Sequence, residues 1–136
     1  MAPPSSLKGF TLVVAAIVCA VLAVLAAVTL PQLRGHDYRA GRLDGVLALT
    51  RVQQAQEQYR SAHGLYAGEL SALLGTAAQS PQGRYGIRLA VDGGDAYVAT
   101  ATAQGAQAAD AACSTLTLNV RQGFAQAGPQ PGCWLR

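Results

Sequence analysis

The side chains able to do chemistry are few in this 136-residue chain, and none is grouped as a catalyst would need. His36 and His63 stand far apart with no cysteine or carboxylate at ligand spacing, so they read as surface histidines and not as a metal site. Serine, histidine and aspartate are present, yet no nucleophile motif surrounds any of them. The glycines fall in turns and lack the spacing that cradles phosphate. These residues predict no enzyme, no metal and no cofactor. A different chemistry is offered by Arg84, Arg88 and Arg121, which with Tyr85 as an aromatic platform could hold a nucleic-acid strand by charge and stacking. Arg84 and Arg88 are four apart, so in a strand they share one face. Asp92, Asp95 and Asp110 are interspersed with them, and the competing reading is a solvated surface.

The cysteines bear on stability. Cys19 lies in an apolar run and reads as an inert thiol, which leaves Cys113 and Cys133 as the candidates for a disulfide. Closing a loop of about 20 residues would stabilise by roughly 3 kcal/mol in the chain-entropy model, and such a bond implies an oxidising compartment. The length allows one soluble domain of about one hundred residues beyond the apolar run. The net charge of +3 is modest, and of ten basic residues only Lys8 is a lysine, a skew better explained by genome composition than by a partner.

The elements that must position these residues can be read from periodicity. Residues 10 to 30 carry no side chain that is charged at neutral pH; as a helix they rise about 31 Å at roughly 1.5 Å per residue, the thickness of a hydrocarbon core of about 30 Å. A secretory signal has an apolar region of only about 7 to 15 residues, so a membrane helix is expected. Beyond Pro31 the helix resumes: over residues 38 to 62, Val46, Leu49, Val52, Ala55, Tyr59 and Ala62 recur at steps of three and four, opposite Arg51, Gln54, Glu57, Gln58 and Ser61. His63-Gly64 stops it. Residues 64 to 84 read as a loop with one helical turn at Leu70, Leu73 and Leu74. Tyr85, Ile87, Leu89 and Val91 then alternate with Gly86, Arg88 and Ala90. Asp92-Gly93-Gly94-Asp95 turns the chain, and residues 97 to 103 return as the second strand. Leu116, Leu118 and Val120 mark a third strand, and residues 123 to 127 a short fourth. Arg39, Arg42 and Asp44 read as charges at a subunit contact or at headgroup level.

Lys8-Gly9-Phe10-Thr11-Leu12, a charge and a glycine followed abruptly by the apolar run, resembles the prepilin signature of type IV pilins and type II secretion pseudopilins. The resemblance implies cleavage between Gly9 and Phe10 by an integral-membrane prepilin peptidase, with N-methylation of Phe10. Glycine at the scissile bond suits a protease that needs extended backbone. It also places Pro31 as the twenty-second mature residue, where many type IV pilins carry a helix-kinking proline. One position departs from the pattern: Val14 stands where the family usually has a glutamate, the fifth mature residue. Relatives lacking that carboxylate include filament-tip subunits, and a tolerated variation is the other reading.

At the other end, Asp110-Ala111-Ala112-Cys113-Ser114-Thr115, Gly123 and Cys133-Trp134 resemble the close of type IVa minor pilins, in which the two cysteines bond and bound the D-region. The resemblance implies an α+β pilin fold, a long N-terminal helix with a transmembrane first half packed on a three- to four-stranded antiparallel sheet. The implied organisation is a leader at 1–9, a transmembrane half-helix at 10–33 and a soluble domain at 34–136. It also implies a minor pilin of a type IV pilus, held in the inner membrane with a periplasmic C-terminal domain before entering an extracellular filament. Its partners would be major and minor pilin subunits, the peptidase, the inner-membrane assembly platform and lipid. Arg34, Arg39, Arg42 and Arg51 follow the membrane run and by the positive-inside rule would keep the domain cytoplasmic; the cysteine pair and the resemblance outweigh that bias. The rivals are a pseudopilin of type II secretion and, since some minor pilins bind DNA during uptake, a DNA-binding minor pilin.

Overall fold

In the computed structural model, residues 7–76 and 78–134 are described, and at 7–10, 32 and 34 only the backbone. The chain divides into two compact units, Met1–Asp37 and Tyr38–Arg136.

Helix α1, Leu7–His63, begins in the first unit and is unbroken at Pro31, so the expected resumption is a continuation. Proline brings no N–H to the ladder. Two residues earlier, the Thr29 hydroxyl donates to the Leu25 carbonyl at 3.0 Å, a local bond that keeps its polar group within the helix, as an apolar surrounding demands. Leu12, Val13, Ile17, Val18, Val21, Leu22, Val24, Leu25, Val28 and Leu30 are all exposed.

In the second unit, β1 (Tyr85–Asp92), β2 (Ala96–Ala103), β3 (Thr115–Arg121) and β4 (Phe124–Gly128) form an antiparallel meander in the order β1-β2-β3-β4. The alternation legible in the sequence sets the faces: Tyr85, Ile87, Tyr97, Ala99, Ala101, Leu116, Leu118 and Val120 are buried, and α1 covers that face. The β3–β4 turn puts Gln122 at φ 50° and Gly123 at φ 85°, the two left-handed residues of a tight hairpin whose twist matches its strands. A short helix α2, Ser71–Leu74, supplies the helical turn of the connection, and 3-10 turns at Gly105–Ala109, Ala111–Cys113 and Pro131–Trp134 fill the remaining links. Cys113 and Cys133 form a disulfide that closes the C-terminal region, and the Trp134 indole donates to the Gly128 carbonyl at 2.7 Å. Fold class and disulfide are as the sequence predicted.

The buried stripe of α1 differs from the expected one. Leu49 and Val52 are in the core as predicted, but Ala55 and Tyr59 are only half-buried and Ala62 is exposed. The stripe instead runs Gly41, Asp44, Gly45, Ala48, Leu49, Val52 and Gln56, displaced toward the N-terminal end of the second unit. Glycine makes that possible. A Cβ on Gly45 would stand 2.9 Å from Leu116 Cδ1 and 3.0 Å from Tyr85 Cδ2, and one on Gly41 would stand 1.7 Å from Gln107 Oε1. The two glycines, one turn apart, let the helix backbone settle directly onto the sheet and its flanking loop.

Candidate functional site

Two surfaces can carry function: the bare apolar length of α1 and the polar outward face of the sheet. The first is built by composition. From Thr11 to Pro31 every described side chain is exposed, Val14 included at 41%, and the helix is long and apolar enough to cross a membrane. Such a surface is stable only in lipid or against other apolar helices. Gly9 and Phe10, the predicted cleavage residues, have side chains outside those described. Cys19 is free and exposed on this helix.

The second surface depends on how the sheet is held to α1, which polar side chains accomplish. Asp44, only 3% exposed, accepts from the Ser80 hydroxyl, from Gln82 N at 3.0 Å and from Arg84 N at 3.3 Å, fixing the approach to β1. Gln56, fully buried, donates to the Ala67 carbonyl at 3.0 Å and accepts from Ala67 N at 2.8 Å, so one side-chain amide satisfies both groups of a loop residue. Arg42 makes a two-pronged pair with Asp110, Nε to Oδ2 at 2.6 Å and Nη2 to Oδ1 at 2.8 Å, and this bond holds the guanidinium above its usual pKa. Bidentate pairs of this kind fix orientation as well as adding energy. Arg42 and Asp44 are therefore clamps inside the domain, not the subunit-contact or headgroup charges the sequence suggested. Asp44 and Gln56 were detectable only by their position, in line with Ala48 and Val52 at steps of four.

The candidate nucleic-acid residues separate. Tyr85 is fully buried, its hydroxyl donating to the Cys113 carbonyl at 3.1 Å, and burial raises its pKa; it cannot be the stacking platform expected beside the arginines. Arg84 precedes β1, its backbone N bonded to Asp44. Arg88 lies on the outward face of β1 and is exposed. Arg121 shares that face but lies four residues further along β2, since Arg88 is opposite Thr100 and Arg121 opposite Ala96, and it faces Asp92 at 3.5 Å with both side chains largely in solvent. An exposed pair at that distance is worth little.

Around Arg88 the outward face is rich in hydroxyls. Thr100 pairs with Thr117 and Thr102 with Thr115, a square of four threonines, and the next row pairs Asn119 with Gln126. On the inward side, the Tyr97 hydroxyl is buried with no hydrogen-bond partner among the described residues, and burial raises its pKa far above the usual phenol range. Its ring meets that of Tyr66 edge-on at 4.7 Å. The Tyr66 hydroxyl donates to Glu57 at 3.0 Å and accepts from Arg60 at 3.1 Å. Among the described residues no cluster of histidine, cysteine and carboxylate side chains could hold a metal.

Residues 31–117 match the family described as type IV minor pilin ComP, DNA uptake sequence receptor. The chain is also 32% identical over 95 residues to the type IV major pilin protein PilE of Neisseria gonorrhoeae, a match covering 70% of this chain and 55% of that one. It thus spans about half the length of that relative.

Proposed function

From the premise that the chain belongs to the type IV minor pilin family, we propose that it works as a structural subunit of a type IV pilus and not as an enzyme. Residues 1–9 are a leader that prepilin peptidase removes between Gly9 and Phe10, leaving Phe10 as the methylated amino terminus. Residues 10–33 hold the subunit in the inner membrane, with residues 34–136 in the periplasm, until the assembly platform passes it to major and minor pilins in the extracellular filament. The observation that carries this reading is the continuous apolar surface of α1 from Thr11 to Pro31. In assembly it trades lipid for neighbouring helices, with dispersion and helix packing as the gain. Val14 contributes packing alone, having no carboxylate to meet a neighbouring amine. Sheared pili should contain the processed chain, while Gly9→Leu should leave full-length precursor in the membrane and none in pili. Wild-type pili free of the chain would refute the assignment.

A second reading, DNA binding during uptake, is supported by the family's description as a DNA uptake sequence receptor. Its chemical basis in this chain is the outward sheet face, where Arg88 and a field of hydroxyls and amides stand in solvent.

A further inference from the structure

We infer that the groove along the outward edge of β1 is a contact for a phosphate of the DNA backbone, held by Arg88 with Thr102 and Gln104. The inference rests on the DNA-binding reading and gives it a location.

The groove encloses about 500 Å³, and its polar side-chain lining is Gln79, Arg88, Thr102 and Gln104. Among the described lining residues there is one cation and no carboxylate. A metal ion or an amine would find no anionic ligand here, and a sugar would find no aromatic face. A guanidinium with five fixed donors, a hydroxyl and two amides that can turn their N–H groups outward is the donor set for an oxyanion.

The surroundings favour a phosphate belonging to a long chain. Gly86 floors the groove, where a Cβ would stand 2.7 Å from Gln104 Nε2, so the absence of a side chain lets the Gln104 amide lie against β1. Thr102, on the groove's lining, is also one corner of the threonine square. Gly86 closes one row beside Thr102, and Gly128 closes the other beside Thr117. Threonine, glutamine and arginine are among the side chains that contact nucleic-acid phosphates. With strands about 4.8 Å apart, the hydroxyls prolong the Arg88 contact across two strands. Arg121, facing Asp92, is not part of this track.

Binding of labelled DNA duplexes to the full chain in detergent, titrated between about 50 and 200 mM salt, tests the assignment. Arg88→Gln should weaken binding about tenfold, the size of one charge-assisted contact, and equally on duplexes of unrelated sequence. It should also reduce the salt slope by about one. Thr102→Val with Gln104→Leu should weaken binding several-fold and leave the slope unchanged, because neither side chain is charged. Arg88 is exposed and makes none of the ion pairs found among the described residues, so its replacement should not change the melting temperature. If the wild type binds DNA and Arg88→Gln matches it in affinity and slope, the groove assignment fails while the DNA reading stands. If inorganic phosphate binds the wild type and is lost in Arg88→Gln while duplex affinity is unchanged, the groove holds free phosphate and the assignment fails likewise. If the wild type binds no duplex, both fall.

Discussion

Replacing Gly41 with alanine sets two effects of known size against each other. A helix interior gains about 1 kcal/mol from glycine to alanine. Against that, the new methyl would stand 1.7 Å from Gln107 Oε1 and 2.4 Å from Gln107 Cδ, and this amide is not free to swing aside. Its Nε2 lies 3.2 Å from the Tyr38 carbonyl, 3.3 Å from the Tyr85 hydroxyl and 3.4 Å from Asp110 Oδ2, with Gln107 itself 4% exposed. Ejecting it forfeits these contacts at about 1 kcal/mol each. The net expectation is a loss of about 2 kcal/mol, or roughly 10 °C in melting temperature for a domain of this size. Thermal unfolding followed by circular dichroism reads it directly. In a Gln107→Ala background the obstruction is gone, so the same Gly41→Ala change should raise the melting temperature by its helix-propensity gain, and the double-mutant cycle should show a coupling of about 3 kcal/mol. A higher melting temperature for Gly41→Ala in the wild-type background, or additivity across the cycle, would refute the account of how α1 seats on the sheet.

Tyr97→Phe should stabilise the domain by about 1 kcal/mol at neutral pH, because it removes a buried hydroxyl that has no partner among the described residues. The folded-state pKa of Tyr97 lies above its ordinary value of 10.0, so its neutral-form contribution is complete below that pH and is lost as pH rises above it. The wild type should lose about 1.4 kcal/mol per pH unit there from this residue, and equal alkaline slopes in urea unfolding for wild type and Tyr97→Phe would contradict this. The Cys113–Cys133 bond spans 20 residues and should contribute roughly 3 kcal/mol. The double serine variant should therefore melt like reduced wild type and be insensitive to reductant; an unchanged melting temperature on reduction would count against that contribution.

The sheet was legible because its signals are local. Tyr85, Ile87, Leu89 and Val91 alternate, glycines stand in the turns, and each hairpin lies within one short stretch of chain, residues 85–103 and 115–128. The helix face was legible only in part. An apolar count passes over Gly41 and Gly45, whose role is to be absent of side chain, and it rejects Asp44 and Gln56, whose burial is made possible by loop groups at positions 67 and 80 to 84. Only the folded chain brings those groups near. Tyr85 is the instructive error, since its alternation with Gly86 and Arg88 had already assigned it to the face opposite Arg88, while proximity in sequence suggested a shared surface. Arg88 itself gave no signal that set it apart from Arg121. Pairing register, which puts threonines beside one and Asp92 beside the other, makes the difference.

The Arg42–Asp110 pair has a mechanical consequence. Asp110 lies three residues before Cys113, so the strongest polar fastening of α1 lands on the segment that the disulfide ties covalently to the C-terminal end of the chain. Tension drawn along α1 therefore has one route through a charged two-pronged link and a few residues of backbone to a covalent bond, beside the Asp44 bonds at the approach to β1 and the apolar packing on the sheet. The load is shared between the start of β3 and the segment after β4. Reduction of the disulfide would leave that route ending on the start of β3 alone.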